Sequence, residues 1–147
     1  MGALAATRLA AARKDIRGLI LQAPMRVFDQ AVVSYMENDS PLLAKWLTER
    51  AIRSGARAAL TRAGVDLAQT DVKPQVAALS MSVLILALPD DPVARFEYFE
   101  ALGRGNVAIQ KIEGRSHPGM AVIGSAEAGD IYRWLLDGAA GFENTVR

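Results

Sequence analysis

Residues 76–88 read Val-Ala-Ala-Leu-Ser-Met-Ser-Val-Leu-Ile-Leu-Ala-Leu and form the most apolar stretch of the chain. Apart from Ser80 and Ser82 the stretch offers no polar face, so we expect the element built from it to be buried on all sides. Its length and its Ala-Ala-Leu beginning favour a central helix. A buried strand over residues 83–88 is the alternative, because short β-branched runs suit either structure. The stretch is too short to cross a bilayer, which needs about 20 residues, and we predict no transmembrane segment.

Helical periodicity dominates the chain before this stretch. The pattern predicts an amphipathic helix over residues 3–22 and a second helix with Pro24 in its first turn. A third helix is predicted to begin with Pro41 in its first turn and to run towards Gly64. The apolar side of this third helix changes midway, so we expect it to bend or break at residues 54–55.

The chain after the apolar stretch alternates stop signals with short elements. Asp91 is suited to cap a helix that has Pro92 in its first position. Residues 107–112 and 120–123 are the candidate strands, and together they predict a small β-hairpin. Ser125 is predicted to cap the last helix.

The fold class that follows is mainly α. We predict a single domain over residues 1–147, built as a bundle of about five or six helices around a buried central helix. The small β-hairpin lies near residues 107–123, and residues 139–147 are expected to form a loose tail.

Composition limits the chemistry that the chain can support. The 147 residues include no cysteine, which excludes disulfides, thiolate metal sites and cysteine nucleophiles. Nothing therefore argues for an oxidising compartment, and a cytoplasmic location is expected. Hydrophobic residues make up 51% of the chain without counting glycine, whereas about 45–50% with glycine is typical. This surplus favours an apolar interface with other copies, another protein or a membrane.

The two halves of the chain carry opposite charge. Residues 1–62 have a net charge of +5 and residues 63–147 a net charge of −4. Opposite charges on one chain favour head-to-tail contact between copies. We therefore predict a non-enzymatic structural or assembly protein that self-associates or docks as a subunit of a larger complex, such as a shell, scaffold or coat. The predicted contact residues are Arg50, Arg53, Arg57, Glu97, Glu100 and Asp137.

A small nucleic-acid-binding or regulatory protein is the first alternative. The stripe of Arg50, Arg53 and Arg57 on one helix face could bind phosphates, because a guanidinium pairs with a phosphate through two hydrogen bonds. The sequence pI of about 8.1 argues against it, since nucleic-acid-binding domains commonly exceed about 9.

An enzyme or anion-binding site in the loop at residues 113–119 is the second alternative. This loop gathers Glu113, Arg115 and the chain's single histidine, His117. Ser116 does not form a nucleophilic pair with His117 by adjacency alone, because neighbouring side chains usually point apart. A lone histidine without carboxylates at ligand spacing predicts no metal site, and we expect no cofactor. An exposed turn explains the same residues, so a non-enzyme is preferred.

Overall fold

A three-stranded parallel β-sheet with helices on both faces forms the centre of the protein. The structure is a computed structural model, and it describes residues 2–137. The elements, in chain order, are α1 (Gly2–Ala12), β1 (Gly18–Gln22), α2 (Phe28–Asp39), α3 (Pro41–Trp46), α4 (Glu49–Arg62), α5 (Val72–Ala77), β2 (Ser82–Ala87), α6 (Phe96–Glu100), β3 (Val107–Lys111) and α7 (Ser125–Asp137). Short 3₁₀ turns lie at Leu67–Thr70 and Pro118–Ala121.

The strand β2 lies in the middle of the sheet and pairs in parallel with both neighbours. Val83 is in register with Leu19 on one side and with Val107 on the other. Side chains alternate between the two faces. Leu21 and Ile85 pack with Val72, Val76 and Phe99 on one face, while the other face is formed by a second set: Leu84, Leu86, Ala108 and Trp134.

The prediction of a mainly α bundle is therefore wrong, and the apolar stretch is where it fails. Residues 76–88 do not form one helix: α5 ends at Ala77 and β2 begins at Ser82. A central parallel strand is covered on both faces and shows a continuous apolar run rather than alternation. In sequence such a run looks like a fully buried helix, and the alternative of a strand over residues 83–88 is close to what the structure has.

The predicted β-hairpin at residues 107–123 is also wrong. Residues 107–111 do form β3, but β3 pairs in parallel with β2. Residues 118–121 form a 3₁₀ turn instead of a second strand. The first predicted helix is likewise too long, because residues 18–22 of it belong to β1.

The predicted third helix is two helices, and the break does not fall at residues 54–55. α3 ends at Trp46, and α4 begins after Thr48, whose Oγ1 accepts a hydrogen bond from the Ala51 N–H at 3.3 Å. The predicted end at Gly64 is confirmed. Gly64 adopts a φ of +67°, which is the left-handed conformation that glycine favours after a helix.

Asp91 does not cap the helix predicted after it, since α6 begins only at Phe96. The last helix begins at Ser125 itself, so this serine is the first helical residue rather than the predicted cap. The predicted loose tail at residues 139–147 lies outside the described residues. No helix within residues 2–137 combines the length and the apolar character that a membrane crossing requires.

Candidate functional site

Asp91 and His117 follow two neighbouring strands of the sheet at the same edge. Asp91 lies in the loop after β2, and His117 lies in the loop after β3. Because β2 and β3 are parallel, both loops leave the carboxyl edge, where ligands bind in open α/β sheets. The topology therefore brings together two side chains that are 26 positions apart in sequence.

Asp91 is buried, with 3% of its surface exposed. Its Oδ1 accepts a hydrogen bond of 2.8 Å from the Val93 N–H, and its Oδ2 lies 2.5 Å from Nδ1 of His117. Burial alone would raise the pKa of Asp91. The hydrogen bonds from His117 and Val93 and the charge of His117 outweigh burial and hold the pKa below its ordinary value. Asp91 is therefore a carboxylate at neutral pH.

The two ring nitrogens of His117 have different partners. Nδ1 faces the Asp91 carboxylate, which can only accept, so Nδ1 carries a proton. Nε2 lies 2.8 Å from the hydroxyl oxygen of Tyr35, a residue of α2. The two rings meet edge to face, with centroids 5.7 Å apart. Burial, followed by the negative charges of Asp91 and Asp39, raises the pKa of Tyr35. Tyr35 keeps its proton, and its hydroxyl donates a hydrogen bond to Nε2 when His117 is neutral.

The loop that carries His117 is held by Arg115. The guanidinium of Arg115 donates to the carbonyls of Gly119 at 2.6 Å and Val122 at 2.5 Å. It also pairs at 3.2 Å with Glu127 of α7, which is 5% exposed. A buried carboxylate without a partner is costly, so this ion pair fixes the loop to α7.

A cavity of about 340 Å³ opens beside His117. The end of α2 supplies Tyr35 and Asp39 to its wall, and the loops after β2 and β3 supply the remainder, including Leu88 and Arg115. His117 and Tyr35, whose hydroxyl contacts Nε2 of His117, both line this cavity. The structure thus places an imidazole, oriented by a carboxylate, at the wall of a small ligand-sized space, which is a geometry that suits general-base chemistry.

The structure separates the three predicted members of the loop site. Arg115 and His117 line the cavity. Glu113 is exposed and pairs with Lys111 at 3.8 Å. No group of three or more His, Asp or Glu side chains able to hold a metal occurs among the described residues.

Sequence reasoning missed Asp91 and Tyr35 as site residues. Asp91 was expected to be a helix cap, and Tyr35 lies on α2, far in sequence from the predicted loop site. The available signal was an acid after one apolar strand and a histidine after the next, which can be recognised only once residues 83–88 are assigned to a strand.

The charged residues predicted to contact another molecule are spread over three helices. Arg57 bonds to Oδ2 of buried Asp29 at 2.7 and 2.9 Å, and Arg53 bonds to Glu49 at 2.7 Å. Arg50 is exposed, as are the acidic residues of α6 and α7: Glu97, Glu100 and Asp137. Arg57 thus joins α4 to α2, and Arg53 pairs within α4. A contact of the predicted side chains with a partner stays a prediction.

Comparison with known proteins identifies proteins of similar fold but assigns the chain to no family. No protein-family model and no curated protein matches the chain. NosK from Streptomyces actuosus is similar in structure, with a TM-score of 0.54 and 23% identity over 95% of this chain and 65% of that one. An alpha/beta fold family hydrolase from Bacillus anthracis str. Sterne gives a TM-score of 0.51 and 14% identity over 93% and 64%. The chain spans just under two thirds of the length of either protein.

These similarities correct the predicted function. The chain has an α/β fold of the kind seen in a hydrolase, so the prediction of a helical structural or assembly protein is wrong. Neither the fold nor the similar proteins support self-association or a nucleic-acid partner. The expectation that the chain is no enzyme is a separate matter, because a fold does not test activity.

Proposed function

We propose that this chain carries the acid–base pair of a hydrolytic site, with His117 as general base and acid and Asp91 as the group that orients it. The observation that carries the proposal is the 2.5 Å contact between the buried Asp91 carboxylate and Nδ1 of His117. A carboxylate at Nδ1 fixes the tautomer that leaves the lone pair of Nε2 free to take a proton. Both residues line one cavity.

The proposed chemistry needs only a hydroxyl and an acyl substrate in that cavity. Nε2 takes the proton of the attacking hydroxyl as its oxygen bonds to the carbonyl carbon. Asp91 stabilises the imidazolium that forms, and His117 then gives the proton to the leaving group as its bond to the carbonyl carbon breaks. If the attacking hydroxyl belongs to a serine, a water molecule repeats both proton transfers and releases the acyl group as the acid. General acid–base catalysis of this kind contributes about 10²–10⁴-fold to a rate.

The order of these residues along the chain supports the hydrolase class. In α/β-hydrolases the triad follows the order serine, acid, histidine, and here Asp91 precedes His117 in the loops after successive strands. One of the two similar structures is described as a hydrolase. Among the residues that the structure describes, the hydroxyl bonded to Nε2 is that of Tyr35, and no serine bonds there. The proposal therefore covers the acid–base pair and leaves the attacking hydroxyl to a serine or a water molecule.

The size of the cavity suggests a small substrate. At about 340 Å³ it lies at the low end of the range for ligand sites, about 300–1,000 Å³. We propose esters or amides with a short acyl group as substrates.

Hydrolysis of p-nitrophenyl acetate tests the proposal. His117→Ala should lower kcat/KM by at least about 10²-fold. Glu113→Gln is the matched control, because Glu113 lies in the same loop with its side chain 78% exposed, and it should leave the rate unchanged. A serine-directed phosphonate, followed by mass spectrometry, then shows whether the attacking hydroxyl belongs to a serine. Equal activity in the His117→Ala protein would rule out the proposal.

A further inference from the structure

We propose that Tyr35 is a positioning residue for His117. Tyr35 holds Nε2 in the resting site and must move away from it before the hydroxyl of a substrate or nucleophile can bind there. The basis is the 2.8 Å contact between the Tyr35 hydroxyl and Nε2. The need for Tyr35 to leave rests on the function proposed above. The contact itself does not, and it can be tested without any activity.

The hydrogen bond has one consistent direction when His117 is neutral. Nδ1 carries the ring proton because it faces the Asp91 carboxylate, so Nε2 has a lone pair and no proton. Tyr35 retains its phenolic proton and is the donor. The imidazole is then held at both nitrogens, by a buried acceptor at one and by an α2 donor at the other, which fixes both its tautomer and its rotation.

The hydrogen bond from Tyr35 also prevents His117 from acting as a base. A neutral imidazole offers a single acceptor lone pair at Nε2, and Tyr35 occupies it. A hydroxyl that is to lose its proton to Nε2 needs that position within about 2.6–3.2 Å. Tyr35 and the attacking hydroxyl therefore compete for one site.

The surroundings of Tyr35 allow it to move. Its side chain is 40% exposed, and its ring contacts the ring of His117 edge to face rather than packing into the core. Tyr98 offers a contrast, since its hydroxyl bonds to Asp71 at 2.8 Å and its ring packs on buried Phe99. A side-chain rotation of Tyr35 towards solvent frees Nε2 without opening either face of the sheet.

Chemical modification of the single histidine tests the contact. Diethylpyrocarbonate acylates the unprotonated imidazole nitrogen, and His117 is the only histidine in the chain, so the ultraviolet signal of the product reports Nε2 alone. Tyr35→Phe keeps the ring and removes the hydroxyl. We expect it to react about two- to tenfold faster, which is the range that one net hydrogen bond represents. Tyr132→Phe on α7, where Tyr132 is 62% exposed, should react at the same rate as the protein without any substitution.

Nitrogen NMR of the histidine ring gives an independent measurement. The unmodified protein should show a protonated Nδ1 and a hydrogen-bonded, unprotonated Nε2. In Tyr35→Phe the Nε2 resonance should move to that of a free imidazole nitrogen, with Nδ1 unchanged. Equal modification rates in Tyr35→Phe and in the protein without any substitution would overturn the inference. So would an Nε2 resonance of a free imidazole nitrogen in the protein without any substitution. Loss of hydrolysis in His117→Ala tests the proposed function separately, so either idea can fail alone.

Discussion

Asp91 Oδ2 and His117 Nδ1 lie 2.5 Å apart at the carboxyl edge of the sheet, with Asp91 almost fully buried and His117 partly open to the cavity. Each residue follows a strand, and the two strands are neighbours and parallel. The pairing is thus a consequence of topology rather than of the local sequence. It gives the chain an oriented imidazole, which is the feature that its proposed chemistry requires.

Replacement of Asp91 by Asn should make stability less dependent on pH. The folded protein holds the pKa of Asp91 below its ordinary value. The stabilisation from its carboxylate is therefore complete above the unfolded pKa of about 3.9 and is lost as the pH falls through the folded value. We expect Asp91→Asn to be less stable than the unmodified protein at about pH 7 and the difference to shrink below about pH 4.

Urea unfolding at both pH values measures this effect. Asp90→Asn is the control, since Asp90 is the exposed neighbour of Asp91, and it should change stability by less than about 0.5 kcal/mol. A stability difference for Asp91→Asn that is the same at both pH values would show that the carboxylate charge is not responsible.

Loss of the Arg115 side chain should loosen the loop that carries His117. Arg115→Met removes two bonds to loop carbonyls and leaves Glu127 buried without its partner. We expect about 1–2 kcal/mol of destabilisation and faster amide exchange in residues 113–122. Arg104→Met, at an arginine that is exposed, should change neither quantity. Unchanged exchange in Arg115→Met would mean that other contacts hold the loop.

Two glycines should respond in opposite ways to alanine. Gly55 lies inside α4, and a Cβ there would have no atom within 4 Å. Gly55→Ala should stabilise the protein by about 0.5–1 kcal/mol. A Cβ on Gly18 would lie 2.9 Å from the buried ring of Trp134. Gly18→Ala should destabilise it by about 1–3 kcal/mol.

Thermal and urea unfolding of both glycine variants check these signs. The Gly55 result also tests the position of the helix break, because alanine would not stabilise a hinge that residues 54–55 supplied. A destabilised Gly55→Ala protein would contradict the continuous α4 seen in the structure.

Features with a local cause were predictable from the sequence. The start of α3 at Pro41 and the end of α4 just before Gly64 follow from the chemistry of helix ends. The start of α7 was predicted to within one residue. The loop with Arg115 and His117 was also recognisable, because glycine and polar residues cluster there.

Features that depend on distant partners were not predictable in this way. Leu19 and Ile20 fit a helical stripe as well as a strand, and only pairing with β2 makes residues 18–22 a strand. β2 itself lacks alternation because helices cover both of its faces. Asp91 was explained locally as a helix cap, whereas its partner in the structure, His117, lies 26 positions away.

A double-mutant cycle on Asp91 and His117 tests the central claim most directly, with kcat/KM for p-nitrophenyl acetate as the measured quantity. If Asp91 acts through His117, the two residues form a unit, and effects within a unit are strongly non-additive. We predict that Asp91→Asn and His117→Ala each lower the rate and that the double variant is no slower than His117→Ala, within about threefold. Single-variant losses that multiply in the double variant, or activity that survives His117→Ala, would contradict the account.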